Sequence, residues 1–388
     1  MQKVKISSDV VYVGVDDNQT DLFENQYIIP NGISYNSYVI RDAHTAVMDT
    51  VDVRFGEEWL ANVAEALGGS KPEYLVVQHV EPDHSGSVKM FLEKYPEAKI
   101  VGNAKTFMFL RQFFGQDFQN QVVVKEADTL DLGKHKLTFF MAAMVHWPEV
   151  MVTYDATDKI LFSADGFGKF GSLSTDEEWD CEARRYYFNI CGKYGSPVQA
   201  LLKKAAKLDI SVICPLHGPI LSENLGHYIG LYQKWSAYEP ETDGVFIAYA
   251  SIHGNTAKAA LAIEEKLTQR GIKVECFDLS RCDLAEAVEN AFRYNRSILA
   301  ASSYDGGVFT PMDDFLGHLR AKTFQKRSVA LIENGTWAPS AARTMRAALE
   351  AMKDITILEP VVTITSAVDA ASQAKLDELT DVVASLKM

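Results

Sequence analysis

The sequence predicts an α/β protein with two domains, a β-rich domain over residues 1–242 and a doubly wound parallel sheet over residues 243–388. At 388 residues, of which 47% are hydrophobic, the chain is long enough to form two separate cores. Short apolar runs separated by turns dominate the first part, whereas strand and helix patterns alternate regularly after residue 244, as in parallel α/β sheets. The polar stretch 238–244 contains Pro240 and Gly244 and marks the boundary near residue 242.

Composition narrows the class of protein. The formal net charge of −14 argues against a nucleic-acid partner, because a protein that binds phosphates needs cationic surface. The five cysteines include no CxxC pair, which argues against iron–sulfur and zinc-ribbon sites and fits a reducing cytoplasm. The N-terminus lacks the apolar core of a signal peptide, and no apolar run approaches the roughly 20 residues of a membrane helix. We therefore expect a cytoplasmic protein with neither a nucleic-acid nor a membrane partner.

The elements of the first domain follow from short apolar or alternating runs that end in turn residues. The predicted strands are Val10–Val13, Gln26–Ile29, Tyr35–Ile40, Ala46–Asp49, Tyr74–Val77, Lys99–Val101, 121–126, 136–143, 150–155, 159–165 and Ile210–Cys214. Apolar residues at helical spacing predict helices over 56–67, 104–114, 177–190 and 197–206. The first helix stops at Gly68-Gly69, because glycine is a common residue just past a helix end.

The most informative stretch is 74–88, where four possible metal ligands follow an apolar strand within six residues. These ligands are His79, Glu81, Asp83 and His84. Alternate side chains of an extended segment share a face, so we expect the first three to converge and the turn to bring His84 beside them. Pro82 stiffens the segment and removes a backbone donor.

Three further possible ligands lie at predicted strand ends or just beyond them. His146 lies beside a proline turn, Asp165 closes a strand, and His217 closes the last strand of the first domain. Sites are commonly built from loops that a rigid scaffold positions, so this recurrence indicates one site shared with the 79–84 cluster. His227 competes with His217, but it lies in the helix-like stretch 224–235, and the position at a strand end favours His217.

The second domain reads as five strands, each followed by a helix. The predicted strands are Val245–Ala250, Val274–Leu279, Ile298–Ala301, Ser328–Glu333 and 356–362. Helices are expected over 256–270, up to about residue 293, from about residue 311, after Pro339, and over 371–386. This alternation predicts a doubly wound parallel sheet of flavodoxin order.

The loop between the first strand and first helix of this domain, 251–256, is suited to a terminal phosphate. It is rich in hydroxyl groups and lies at a helix N-terminus, where backbone N–H groups attract anions. The absence of GxGxxG and GxxxxGK[ST] motifs disfavours a dinucleotide and ATP, which leaves the mononucleotide FMN. Loops after the third and fourth strands carry Tyr304 and Trp337, which could flank a flat ring. The candidate FMN contacts are Ser251, Ile252, His253, Gly254, Asn255, Thr256, Ser302, Ser303, Tyr304, Asp305, Gly306, Gly307, Glu333, Asn334, Gly335, Thr336 and Trp337.

The order of the ligands in the first domain resembles the metallo-β-lactamase fold, an αββα sandwich of two sheets with helices outside. Zinc hydrolases of that fold carry His-x-His-x-Asp-His, whereas this chain has Glu81 in place of the second histidine. A carboxylate is a harder ligand than imidazole and favours iron over zinc. The second domain resembles flavodoxin over its whole length.

Together the two domains resemble the A-type flavodiiron proteins over nearly the whole chain. The resemblance implies a first iron held by His79, Glu81 and His146 and a second held by Asp83, His84 and His217. Asp165 would bridge the two irons. Some members of that family leave the counterpart of His84 unbound.

The resemblance also implies an activity and partners. The family reduces O2 to water, NO to nitrous oxide, or both, with electrons that pass through FMN to the irons, and no motif in this sequence separates the two gases. It uses a head-to-tail homodimer or a dimer of dimers, in which the flavin of one chain meets the irons of the other, and Trp147 is a candidate for that junction. The sequence up to Met388 contains no rubredoxin-like CxxC pairs, so a separate donor is expected, such as rubredoxin or a reduced deazaflavin coenzyme.

The residues leave two other classes of protein open. One is a zinc hydrolase that carries a flavodoxin-like passenger domain, which Glu81 argues against and which ester or lactam turnover without iron would support. The other is a flavin electron carrier whose first domain is only structural. The electron-carrier interpretation predicts that Asp83→Ala and His146→Ala leave gas reduction unchanged.

Overall fold

The computed structural model describes residues 6–388 and divides into two compact units. The first runs up to Tyr186 and includes Ser196–Gln233, and the second comprises Tyr187–Gly195 and Lys234–Met388. The boundary near residue 242 stays a prediction. The segment 187–195 joins the second unit because its aromatic side chains pack there: Phe188 stacks on Phe292 with ring centroids 4.2 Å apart.

The described part of the first unit contains two main sheets and two short two-stranded sheets, β2-β5 and β3-β4. Its strands are β1 (Val10–Tyr12), β2 (Val15–Asp17), β3 (Leu22–Phe23), β4 (Tyr27–Ile28), β5 (Ile33–Tyr35), β6 (Tyr38–Ile40), β7 (Ala46–Met48), β8 (Tyr74–Val76), β9 (Lys99–Gly102), β10 (Gln121–Val123), β11 (Thr129–Asp131), β12 (Lys136–Met141), β13 (Met151–Asp155), β14 (Ile160–Phe162) and β15 (Val212–Cys214). One sheet has the order β1-β6-β7-β8-β9-β10 and the other the order β11-β12-β13-β14-β15.

The α-helices that begin before residue 240 are α1 (Gly56–Leu67), α2 (Pro82–Ser85), α3 (Val88–Lys94), α4 (Ala104–Phe114), α5 (Trp179–Tyr186), α6 (Gly195–Ala205) and α7 (Leu225–Ser236). Short 3₁₀ turns lie at Val53–Phe55 and Gly192–Tyr194. The helix predicted over 177–190 is shorter than expected, because α5 gives way to a π-helical turn at Tyr187–Cys191.

The two sheets bury one shared core, which confirms the predicted sandwich. Val76 and Val101 from the first sheet pack with Phe139 and Phe162 from the second in a single buried cluster. Helix α1 packs on β6 through an apolar face that includes Trp59 and Val63, and these residues do not belong to that core. The helix therefore covers the outer face of its sheet. This layering leaves the strand ends and their loops free to carry polar residues.

The second unit has the predicted parallel sheet. Its strands are β16 (Thr242–Ala250), β17 (Val274–Asp278), β18 (Tyr294–Tyr304), β19 (Gly307–Val308), β20 (Arg327–Asn334), β21 (Ile355–Ile357) and β22 (Val362–Ile364). Its helices are α8 (Asn255–Gln269), α9 (Leu284–Arg293), α10 (Thr310–Ala321), α11 (Ala341–Glu350) and α12 (Ala370–Ser385).

The strand order β17-β16-β18-β20-β21 is the flavodoxin order, which confirms the second part of the predicted fold. The fifth predicted strand is interrupted: β21 pairs with the start of β20 and β22 with its end. Pro360 lies between them, and proline cannot donate a ladder hydrogen bond. No helix in the described part of the chain combines the length and apolar character that crossing a bilayer requires.

Candidate functional site

Seven of the residues singled out in the sequence converge in the first unit as two groups. The first group is His79, Glu81, His146 and Asp165, and the second is Asp83, His84 and His217. Within each group the possible ligand atoms lie within 4.8 Å of one another. Every one of these side chains except Glu81 is buried. The predicted ligand residues are therefore gathered at one place by four separate loops.

Asp165 lies between the two groups and presents one carboxylate oxygen to each. Its Oδ2 is 3.3 Å from Nε2 of His79 and 3.1 Å from Nε2 of His146. Its Oδ1 is 3.2 Å from Nε2 of His84 and 3.9 Å from Nε2 of His217. A carboxylate in this position can contribute one oxygen to each of two cations.

The spacing of the ligand atoms fits bound cations. Oε2 of Glu81 lies 3.2 Å from Nε2 of His79 and 3.0 Å from Nε2 of His146. Oδ2 of Asp83 lies 3.2 Å from Nε2 of His84 and 3.3 Å from Nε2 of His217. Two ligand atoms that bind the same metal at about 2.0–2.2 Å lie roughly 3 Å apart when the ligand–metal–ligand angle is near 90°. Both oxygens of Asp83 and of Asp165 are buried without a hydrogen-bond partner among the described residues, and such atoms are costly unless a cation satisfies them.

The local structure of 79–84 differs from the extended segment that we expected. Pro82 begins the short helix α2, with Asp83 and His84 in its single turn, because proline is well suited to a first helical position. The turn directs Asp83 into the second group, whereas His79 and Glu81 remain in the first. The three side chains therefore lie at one place, with Asp83 in the second group, but the segment is helical from Pro82 and not extended.

The structure places His217, and not His227, with the other ligand residues. His217 is fully buried, and its Nδ1 lies 2.8 Å from the backbone oxygen of Ser34, which leaves Nε2 directed at the second group. The side chain of His227 is half-exposed and pairs with Asp180 at 2.8 Å.

The charges of the groups hold the pKa values of their members away from ordinary values. Burial lowers the pKa of His146, but the close carboxylates of Asp165 and Glu81 more than reverse this and raise the pKa to about 9. Burial raises the pKa of Asp165, but the charge of His79 and the close ring nitrogens of His146, His79 and His84 hold it well below its usual value. Without a metal, these buried carboxylates therefore draw protons onto the histidines, and a cation would take the place of those protons.

Two buried carboxylates support the ligand loops and were not identified from the sequence. Glu149 Oε1 lies 2.7 Å from Nδ1 of His79 and accepts the N–H of Val80 at 3.0 Å. Asp49 accepts the backbone and side-chain N–H groups of Gln78, at 2.7 and 2.9 Å, and burial raises its pKa to about 6. Glu149 sits three positions after His146, and its presence beside a ligand histidine was the only sequence signal.

Aromatic side chains enclose the two groups. Phe23, Tyr35 and Tyr186 lie with ring centroids 5.5, 6.0 and 5.6 Å from that of His217, and Trp147 lies 5.2 Å from His79. A cavity of about 660 Å³ reaches the groups through Glu81 and Asp83. The site is thus walled by apolar rings and open to small molecules on the carboxylate side.

The second unit has a cavity of about 500 Å³ at the carboxyl ends of its parallel strands. Fourteen of the seventeen candidate FMN contacts line it, all except Gly254, Gly307 and Glu333. The Glu333 carboxylate is used elsewhere, since it accepts hydrogen bonds from Ala342 N and Thr363 Oγ1, both at 2.8 Å. Ala338, Ser340 and Ser366 also line the cavity and were missed, Ser366 because its loop follows a strand that the sequence had fused with its neighbour.

Comparison with known proteins agrees with this architecture. Residues 33–218 match the family model described as ODP family beta lactamase. A nitric oxide reductase from Moorella thermoacetica is 30% identical over 372 residues, which are 92% of each chain. The structure of rubredoxin oxygen:oxidoreductase from Desulfovibrio gigas is similar with a TM-score of 0.91 and 25% identity, over 99% of this chain and 98% of that one.

These matches establish the class: a metallo-β-lactamase-like domain joined to a flavodoxin-like domain. The chain belongs to the flavodiiron protein family. A diflavin flavoprotein from Synechocystis is 29% identical over 86% of this chain. The chain spans only 59% of the length of that relative.

Proposed function

We propose that this protein is an oxidoreductase that reduces O2 to water, NO to nitrous oxide, or both, at a pair of iron ions supplied with electrons through FMN. The iron site would lie in the domain over residues 1–242 and the flavin site in the domain over residues 243–388. The observation that carries the proposal is Asp165, whose two oxygens face two separate groups of histidine and carboxylate ligands.

The residues present fit two irons. His79, Glu81 and His146 would hold the first, Asp83, His84 and His217 the second, and Asp165 both. The three carboxylates offset much of the charge of two such cations, and their hard oxygen atoms favour iron over metals that prefer softer ligands. The unpartnered oxygens of Asp83 and Asp165 are the atoms that metal binding would satisfy.

The cavity of the second unit fits FMN. Ser251, Asn255 and Thr256 would surround the terminal phosphate at the start of α8, where backbone N–H groups favour an anion. Tyr304 and Trp337 line the same cavity, and their rings can contact the isoalloxazine. When bound, FMN would accept electrons from a donor and the irons would deliver them to the gas.

The protein's own groups position and shield this chemistry. The rings of Phe23, Tyr35 and Tyr186 beside His217 limit access of water from that side. The cavity that leads to Glu81 and Asp83 is wide enough for a diatomic molecule. Neither reaction requires a serine or cysteine nucleophile.

The test combines metal analysis with turnover under a common reductant. We expect about two irons and one FMN per chain, with gas reduction abolished in Asp83→Ala and His146→Ala while FMN remains bound. If gas reduction survives both substitutions, the first domain has only a structural role. Zinc in place of iron, together with ester or lactam hydrolysis, would replace the proposal with a hydrolase.

Finer features of the proposal follow the family. We expect a head-to-tail homodimer or a dimer of dimers, in which the flavin of one chain serves the irons of the other. Light scattering that finds a fully active monomer would contradict it. A separate donor, rubredoxin or a reduced deazaflavin coenzyme, would supply electrons, and parallel turnover with each gas would rank O2 against NO.

A further inference from the structure

The two metal positions of the proposed function have matched inner ligands. Each has two histidines that present Nε2, one carboxylate of its own, and one oxygen of Asp165. The inner ligands alone therefore place the same negative charge at both positions. Any difference in metal affinity between the two positions must come from the groups that contact these ligands on the side away from the metal.

Those supporting groups differ. Nδ1 of His79 faces the carboxylate of Glu149 at 2.7 Å, and Glu149 is 1% exposed. In the other position, Nδ1 of His217 donates to the neutral backbone oxygen of Ser34. Nδ1 of His84 is buried and has no hydrogen-bond partner among the described residues. A full negative charge thus supports one histidine of the first position, and no hydrogen-bonded carboxylate supports the histidines of the second.

Glu149 also fixes how His79 is held. Because its Oε1 accepts from Val80 N and Asn103 Nδ2 holds its backbone oxygen at 2.5 Å, the carboxylate has little freedom to turn away. A proton on Nδ1 of His79 completes the hydrogen bond to this carboxylate and leaves the lone pair of Nε2 for a cation. An anionic partner makes an imidazole a stronger donor, and loss of such a partner commonly weakens metal binding.

We infer that Glu149 is a positioning residue that makes the two metal positions unequal. The position of His79 and His146 holds its ion more tightly than the position of His84 and His217. Asp49 is a second buried carboxylate nearby, but its side chain hydrogen-bonds Gln78 and no ligand ring. This inference rests on the proposed function, because it requires a cation at each position.

The experiment measures how fast a coloured ferrous chelator removes iron from the reduced holoprotein. We expect two phases of one equivalent each. Glu149→Gln keeps the shape of the side chain and removes its charge, so it should accelerate the slow phase about 10–100-fold and leave the fast phase unchanged. A wild-type protein with a single phase, or a variant that accelerates both phases equally or neither, would overturn the inference.

Two variants keep the result interpretable. Asp155→Asn removes a carboxylate from another buried histidine, since Asp155 lies 2.8 Å from Nδ1 of His135, and it should leave both release phases unchanged. Glu149→Asp keeps the charge and should retain two phases even where Glu149→Gln does not fold; a single fast phase in this variant contradicts the inference. Protein that binds fewer than two irons per chain would instead refute the proposed function.

Discussion

The Nε2 atoms of His84 and His217 lie 3.1 Å apart, although 133 positions separate the two residues in the chain. Two imidazole nitrogens at this distance cannot both carry a proton that points at the other. Oδ2 of Asp83 lies 3.2 and 3.3 Å from the same two atoms. A cation bound between them would take up both Nε2 lone pairs and this carboxylate oxygen.

The first prediction separates His217 from its competitor His227. His217→Ala should remove about one of the two irons and abolish gas reduction, because it deletes a buried ligand atom. His227→Ala should retain both irons and the activity, since that side chain is half-exposed and pairs with Asp180. Iron content and turnover measured on both variants check this. Loss of iron in the His227 variant alone would reverse the assignment.

The second prediction concerns pH and His135, a buried histidine outside the ligand groups. Burial lowers its pKa, but hydrogen bonds to Asp155 and Asp9 and the charges of Asp155 and Asp158 more than reverse this and raise the pKa. A raised folded-state pKa stabilises the protein fully below the unfolded value of about 6.5, and this contribution is lost as pH rises through the folded value. The unfolding temperature of the wild type should therefore exceed that of His135→Gln, and the difference between the two should be larger at pH 6 than at high pH. An equal difference at every pH would contradict this.

The third prediction concerns Trp337, which lines the cavity of the second unit and is 82% exposed. If its ring packs on the flavin, Trp337→Ala should weaken FMN binding by about 0.5–1.5 kcal/mol. That cost corresponds to a roughly two- to tenfold higher Kd, measured by flavin fluorescence. Trp337→Phe keeps a ring and should retain most of the affinity. If both variants lose the same FMN affinity, Trp337 does not act by stacking on the flavin.

The fourth prediction compares two glycines. Gly218 follows His217 with φ +78°, and an added Cβ would lie 2.8 Å from Cγ of Lys169. Gly218→Ala should destabilise the protein by about 1–2 kcal/mol and reduce its iron content. Gly230 lies in α7 with open space around it, so Gly230→Ala should stabilise the protein by up to about 1 kcal/mol. Thermal unfolding of both variants tests the opposite signs.

Sequence patterns predicted the order of layers because apolar runs and turn residues act locally. The α1 range, 56–67, matches the structure since its apolar face and its Gly68 stop are both in the sequence. The π-helical turn at Tyr187–Cys191 was not predicted, because packing of Phe188 on Phe292 depends on residues about a hundred positions away. The split of the fifth strand was also missed, although its signal, Pro360, is local.

The candidate site was predictable to the extent that its residues share a loop. Residue type and strand ends singled out all seven candidate ligands, and the family resemblance implied the division of 79–84 between two groups. The helix that begins at Pro82 was not predicted. Glu149 was missed because a carboxylate that supports a histidine looks like any surface glutamate in sequence. Glu333 does not line the cavity, because its carboxylate accepts tertiary hydrogen bonds from Ala342 and Thr363 that the sequence does not reveal.

Asp165 and His146 are carried by loops of one sheet, whereas His79 and Glu81 follow a strand of the other. Neither half of the sandwich alone contains a full set of ligands for either position. The position of His79 and His146 needs residues from both sheets, and the other position also needs His217. During synthesis, the second iron can therefore be captured at its final place only after the chain has been made past residue 217 and the sheets have closed. A full complement of two irons should report maturation of the whole first domain rather than folding of any one segment.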